Sequence, residues 1–170
     1  MPEEKKSSEL LRAELSTKDR AALKRCCGKS MCECLEALGA YYAVKPYTVG
    51  QRYEERHFAV VALSCLWKQD ERGQLLPLTE CLRRVRQSES LDHRVLSLLD
   101  MDWDDGSDFF QGKLTRLVKL VRSRLSGASP DFAKLYNDLC RWNYPERAVQ
   151  KQWARSYFAP YDDEKQSPVE

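Results

Sequence analysis

The chain is short of the residues that make turns. Seven glycines and seven prolines in 170 residues disfavour an all-β architecture built on many tight turns. No apolar run approaches the roughly 18 residues needed to span a bilayer. Residues Met1 to Ser8 are polar and charged, without the apolar core of a signal peptide. The expectation is a soluble cytoplasmic protein with no membrane partner. No glycine-rich phosphate loop of the P-loop or dinucleotide type occurs. Histidine is scarce too: His57 lies beside Arg56 and His93 beside Arg94. Both histidines are expected at helix surfaces, with no nucleophile or orienting group to make a catalytic pair.

What is present reads as a globular, soluble chain, 42% hydrophobic and 32% charged. Its length suits one domain with a real core, or two small lobes. Helical periodicity runs through almost all of it, and no strand-like alternation of useful length competes. Ser16 or Thr17 is placed to cap a helix to about Cys27. Ser30 and Glu33 have capping-box spacing, with Gly39 as a C-terminal stop. A helix over about Gln51 to Gln69 presents Phe58, Val61, Ala62 and Cys65 on one buried face. Asp70 to Pro77 reads as a loop dividing an N-terminal lobe from a C-terminal one.

Leu78, Cys81, Leu82 and Val85 form the next apolar face. Ser90 is expected to cap a helix facing inward with Leu91, Val95, Leu98 and Leu99. Asp108 to about Leu125 is the clearest amphipathic helix, with Leu114, Leu117, Val118, Val121 and Leu125 as its core face. Ser129-Pro130 and Pro145 look like helix starts, the last helix running to about Phe158. The fold class is therefore all-α, a bundle of about eight to nine helices. The expected division is a polar segment over 1–15, an N-terminal lobe over 16–69, a C-terminal lobe over 78–158 and an acidic, disordered tail over 159–170.

Seven cysteines are conspicuous, but the number is odd and no secretion signal accompanies them. Cys26, Cys27, Cys32 and Cys34 do not match metal-ligand spacing and have no nearby histidine. Small buried hydrophobes in a reducing cell are the simpler reading, and no metal or cofactor is expected. Asp100, Asp102, Asp104, Asp105 and Asp108 do not follow the calcium-loop pattern. They read as a solvated turn between helices.

The formal charge of +2 hides segregation. Residues 1–15 are net −1 and residues 159–170 net −3, leaving +6 on the middle of the chain. Segment 113–125 carries three arginines and two lysines but no acid. Between Arg141 and Phe158, four bases interleave with Trp142, Tyr144, Trp153, Tyr157 and Phe158. Cations suit phosphates, and rings suit stacking on unpaired bases. These features point to binding of a nucleic-acid backbone rather than to catalysis.

The stretch Arg141-Trp142-Asn143-Tyr144-Pro145-Glu146-Arg147-Ala148-Val149-Gln150-Lys151-Gln152-Trp153-Ala154-Arg155 resembles the C-terminal signature of the CasB family. These are the small subunits of the type I-E CRISPR effector complex, Cascade. Collinear support comes from Arg56-His57-Phe58-Ala59, Leu82-Arg83-Arg84-Val85, Leu91-Asp92-His93-Arg94-Val95-Leu96 and Leu117-Val118-Lys119-Leu120-Val121. The resemblance implies an all-α protein of two helical lobes without nuclease activity. It implies two copies, head to tail, beside the other Cascade subunits and their crRNA-bearing backbone. There the displaced non-target DNA strand would follow a basic groove and the R-loop would be held open. Positions matching the family's basic pattern are Lys24, Arg25, Arg56, Arg94, Arg116, Lys119 and Arg122, with Arg147, Lys151 and Arg155 behind them. Two other readings stay open on the residues alone: a purely structural helical adaptor, and a cysteine-based metal or redox protein.

Overall fold

A computed structural model describes residues 15–103 and 108–160. The aspartates at 104 and 105 and most of the expected terminal segments lie outside the described residues. Among the described residues eight α-helices dominate. In chain order they are α1 (Thr17–Lys24), α2 (Leu38–Val44), α3 (Glu54–Ser64), α4 (Leu78–Arg84), α5 (Glu89–Leu99), α6 (Asp108–Arg124), α7 (Phe132–Cys140) and α8 (Ala148–Phe158). The protein is mostly α-helical, as the periodicity requires.

Local signals explain several boundaries. The Ser16 hydroxyl accepts from the Asp19 amide at 3.1 Å and starts α1. Helix α1 ends before Cys27, and Gly28 follows with φ 83°. Glu33 accepts from the Ser30 amide at 3.1 Å, so the capping residues do meet, but they close a three-residue 3-10 turn, Met31–Glu33. Gly39 is not a stop, because α2 runs through it. The α5 cap is Ser88, two residues before the expected Ser90.

Segment 70–77 is not an unstructured loop. Gln74–Leu76 (β1) pairs in parallel with Ala128–Pro130 (β2). Ser129 and Pro130 therefore belong to a strand, and Asp131 caps α7 by accepting from the Lys134 amide at 3.1 Å. Gly73, with φ 58°, has no alternative at its position. A Cβ there would lie 2.2 Å from the Gly127 carbonyl oxygen. Pro145 likewise sits in a turn, and α8 begins only after Arg147, whose backbone is left-handed.

Two apolar cores meet on α3. Phe58, Val61 and Ala62 pack with Leu23, Cys26, Cys34, Tyr41 and Cys65 in the smaller one. Ala59, Val60 and Leu63 join the larger one, built around Leu82, Leu98, Leu117, Val118, Trp142 and Tyr157. Arg56 to Ser64 are consequently all buried. A helix covered on both faces needs no polar stripe, which is why its apolar pattern is nearly continuous.

Candidate nucleic-acid interface

Helices α5 and α6 pack side by side and leave a groove of about 1120 Å³ between their outer faces. His93 and Arg94 enter it from α5. Lys113, Arg116 and Lys119 enter from α6, and Leu117 and Leu120 supply its apolar surface. Among the described residues Glu89 is the one acid in the lining. Arg94, Arg116 and Lys119 are exposed and make no ion pair or hydrogen bond among the described residues. Lys113 crosses the groove to donate to the Ser97 hydroxyl.

Helix geometry selects these residues. At about 100° per residue, positions 113, 116, 120 and 123 stay on one face, whereas 122 lies roughly 120° away from 116. Arg122 accordingly points elsewhere. Its Nε donates to the Leu66 carbonyl at 3.0 Å, and its terminal nitrogen meets Glu71 at 2.8 Å. The guanidinium also lies over the Trp67 ring, 5.6 Å from the centroid.

The end of α1 extends the basic surface. Gly28 sits against α6, where an added Cβ would lie 3.4 Å from the Thr115 hydroxyl. Burial pushes the neighbouring Cys27 thiol up to about 12, while Lys119 and Lys24 both pull it back. The charges of Lys24 on α1 and Lys119 on α6 are thus both felt at Cys27. Arg25 follows Lys24 on the exposed surface. Lys24, Arg25, Arg94, Arg116 and Lys119 are the expected site residues that the fold leaves available around the groove and its margin. Lys151 and Arg155 are exposed one turn apart on α8, on a different element from the groove lining.

Two further expected residues are engaged within the fold. Arg56 is only 7% exposed, and its Nε donates to the Leu139 carbonyl at 3.1 Å. Its guanidinium lies 5.2 Å from the Trp103 ring centroid. Arg56 is not a surface contact, because α3 is covered on both faces. Arg147 pairs with Asp102 and donates to the Leu99 carbonyl at 2.7 Å, tying the start of α8 to the end of α5.

The aromatic residues mostly belong to the core. Trp142, Trp153 and Tyr157 are buried, and their polar atoms are used internally. Trp142 donates to the Met101 carbonyl at 2.8 Å, Trp153 to Asp138 at 2.8 Å and Tyr157 to Asp92 at 2.7 Å. Of the five rings in that stretch, Tyr144 is the exposed one. His57 is buried as well, 3.1 Å from the Tyr41 hydroxyl, and burial pulls it down to about 4. Its expected surface position is thereby corrected.

All seven cysteines are free thiols. Burial pushes Cys34 and Cys81 up to about 12 and Cys65 to about 11, holding them neutral as packing residues. Among the described residues no three His, Cys, Asp or Glu side chains gather as a metal-binding group. No described helix is long and apolar enough to cross a membrane. Lys113, outside the expected set, stands in the same three-residue series as Arg116, Lys119 and Arg122. The 3.6-residue turn keeps Lys113 with Arg116 and turns Arg122 away.

The fold and groove define a mostly helical module with a row of exposed cations, unpaired among the described residues, along one groove. The comparisons give that class a family. A family model described as CRISPR-associated protein Cse2 matches residues 19–158, and the chain belongs to that family. It is 34% identical over 142 residues to a CRISPR-associated protein Cse2 of Thermus thermophilus, covering 78% of this chain and 79% of the relative. A crystal structure of a Cse2-family protein from Thermus thermophilus superposes with a TM-score of 0.71 at 29% identity, covering 92% of this chain and 98% of the other. A CasB crystal structure from M. ruber shares the fold, with a TM-score of 0.69 at 20% identity and 91% of each chain covered.

Proposed function

We propose that this protein is a non-catalytic small subunit of a type I-E CRISPR Cascade complex that holds the displaced non-target DNA strand. The observation that carries the reading is the α5–α6 groove, where, among the described residues, Arg94, Arg116 and Lys119 stand unpaired beside a single acid. Family membership supports the setting, since a chain in a solved CRISPR RNA-guided surveillance complex shares the fold at a TM-score of 0.66. The partners are the other Cascade subunits with their crRNA-bearing backbone, a second copy of this chain and the displaced strand.

The mechanism is electrostatic and blind to sequence. R-loop formation exchanges one duplex for another of similar stability, so modest contacts to the freed strand tip the balance. Each phosphate neutralised in the groove releases counterions and disfavours reannealing. Sequence choice stays with the guide RNA. Lys24 and Arg25 lengthen the track past Lys119, while Lys151 and Arg155 provide a second exposed pair for nucleic acid on α8.

The test is the triple substitution Arg94→Ala, Arg116→Ala, Lys119→Ala in the assembled complex. Retention of the displaced strand should fall by roughly 10- to 100-fold, and the log–log salt slope should flatten by about 2, given about 0.7 per phosphate on a single strand. Unchanged retention and slope, with crosslinks from the groove only to protein, would favour the structural adaptor instead.

A further inference from the structure

His93 is the one lining residue whose side chain changes charge near neutral pH in its unperturbed form. It stands exposed on α5, one residue before Arg94 and one turn after Glu89. Across the groove it faces the cations of α6, Lys113, Arg116 and Lys119. The acid behind it, Asp92, is already engaged. Asp92 accepts from Arg86 at 2.9 and 2.8 Å and from Tyr157 at 2.7 Å, so Arg86, two residues past α4, and Tyr157 of α8 hold it. Among the described residues that leaves Glu89 as the single carboxylate in the groove lining to set against four cations. A strand laid along the groove brings the negative charge of its phosphates to the place where the imidazole sits, which favours the protonated ring.

We infer that His93 is a titratable contact for the strand, so that binding a single-stranded backbone in the α5–α6 groove takes up a proton on this side chain. This rests on the groove being a strand-binding site. The consequence follows from linkage. If binding favours the protonated form, affinity rises as pH falls and the gain is lost as pH rises through the bound-state titration. The protonated ring adds one more cation to the track, so the salt dependence steepens with it.

The experiment uses the full-length protein and a fluorescent oligothymidylate at low ionic strength. Affinity and salt slope are measured at about pH 8 and about pH 6, on either side of the unperturbed histidine range. The native protein should bind about three- to tenfold more tightly at the lower pH, with the slope steeper by about 0.7. His93→Gln should remove most of that difference between the two pH values. His93→Arg should bind tightly at both values, because its charge is permanent. Equal pH dependence in the native protein and His93→Gln overturns the inference but leaves the groove reading intact. Binding that is indifferent both to pH and to loss of Arg94, Arg116 and Lys119 overturns the two together.

Discussion

Helices α3 and α5 carry the same two side chains in opposite order, Arg56-His57 and His93-Arg94. The first pair is buried between two cores, with each side chain held by a named partner: Arg56 by the Leu139 carbonyl and His57 by the Tyr41 hydroxyl. The second pair is exposed on a groove wall, and Arg94 has no partner among the described residues. The difference teaches where charge serves stability in this protein and where it is kept for a ligand. A buried guanidinium must satisfy its donors within the fold. An exposed one beside other cations and a single acid has nothing nearby to satisfy it, so its natural complement is an incoming anion.

The contrast can be broken first through His57. Its folded value is about 4 against an ordinary 6.5, because burial disfavours the charged ring. Between those values the unfolded chain binds a proton that the folded protein refuses. Stability should therefore fall as pH drops through that window, by about 3 kcal/mol in all. Denaturant unfolding at a series of pH values reads this, and His57→Gln should flatten the slope. A slope that persists unchanged in the variant would show that His57 is not its source.

Arg56→Ala should cost about 2–3 kcal/mol, because the Leu139 carbonyl loses a charged donor in a dry setting. The folded fraction should bind a single strand as the native protein does. Arg122→Ala should cost less, about 1 kcal/mol, since its pair with Glu71 is half exposed while its bond to the Leu66 carbonyl is partly buried. Its salt slope for strand binding should not change, in contrast to Arg116→Ala about one and two-thirds turns earlier on the same helix. The smallest stability effect belongs to the groove: the triple substitution of Arg94, Arg116 and Lys119 should leave unfolding within about 0.5 kcal/mol of native. A larger loss would mean that these side chains support the fold.

Much of the helical order was legible before the structure. The apolar face of Phe58, Val61, Ala62 and Cys65, and that of Leu114, Leu117, Val118 and Val121, are both buried as the 3.6-residue period demands. The failures share a cause. Pro130 and Pro145 were read as helix starts because proline suits the first helical position. Its fixed φ near −65° suits a strand end or a turn equally well. At Pro130 the deciding partner is distant: the Leu76 carbonyl takes its hydrogen bond from the Asp131 amide at 2.7 Å. A three-residue strand pair has no local periodicity to announce it. Rings at helical spacing, such as Trp142 and Trp153, fit a core and a stacking platform alike until their exposure is known.

By itself the sequence determined that this protein is helical, that its net charge conceals a basic middle, and which short motifs align it with its relatives. Those properties follow from residue spacing along one chain. Only the tertiary structure decided which cations remain available. A helix has an outer face only once its neighbours are in place. Packing on both sides of α3 enclosed Arg56 and His57, and the 100° step of α6 turned Arg122 toward Glu71. The same step left Arg116 in the groove beside His93 and Arg94.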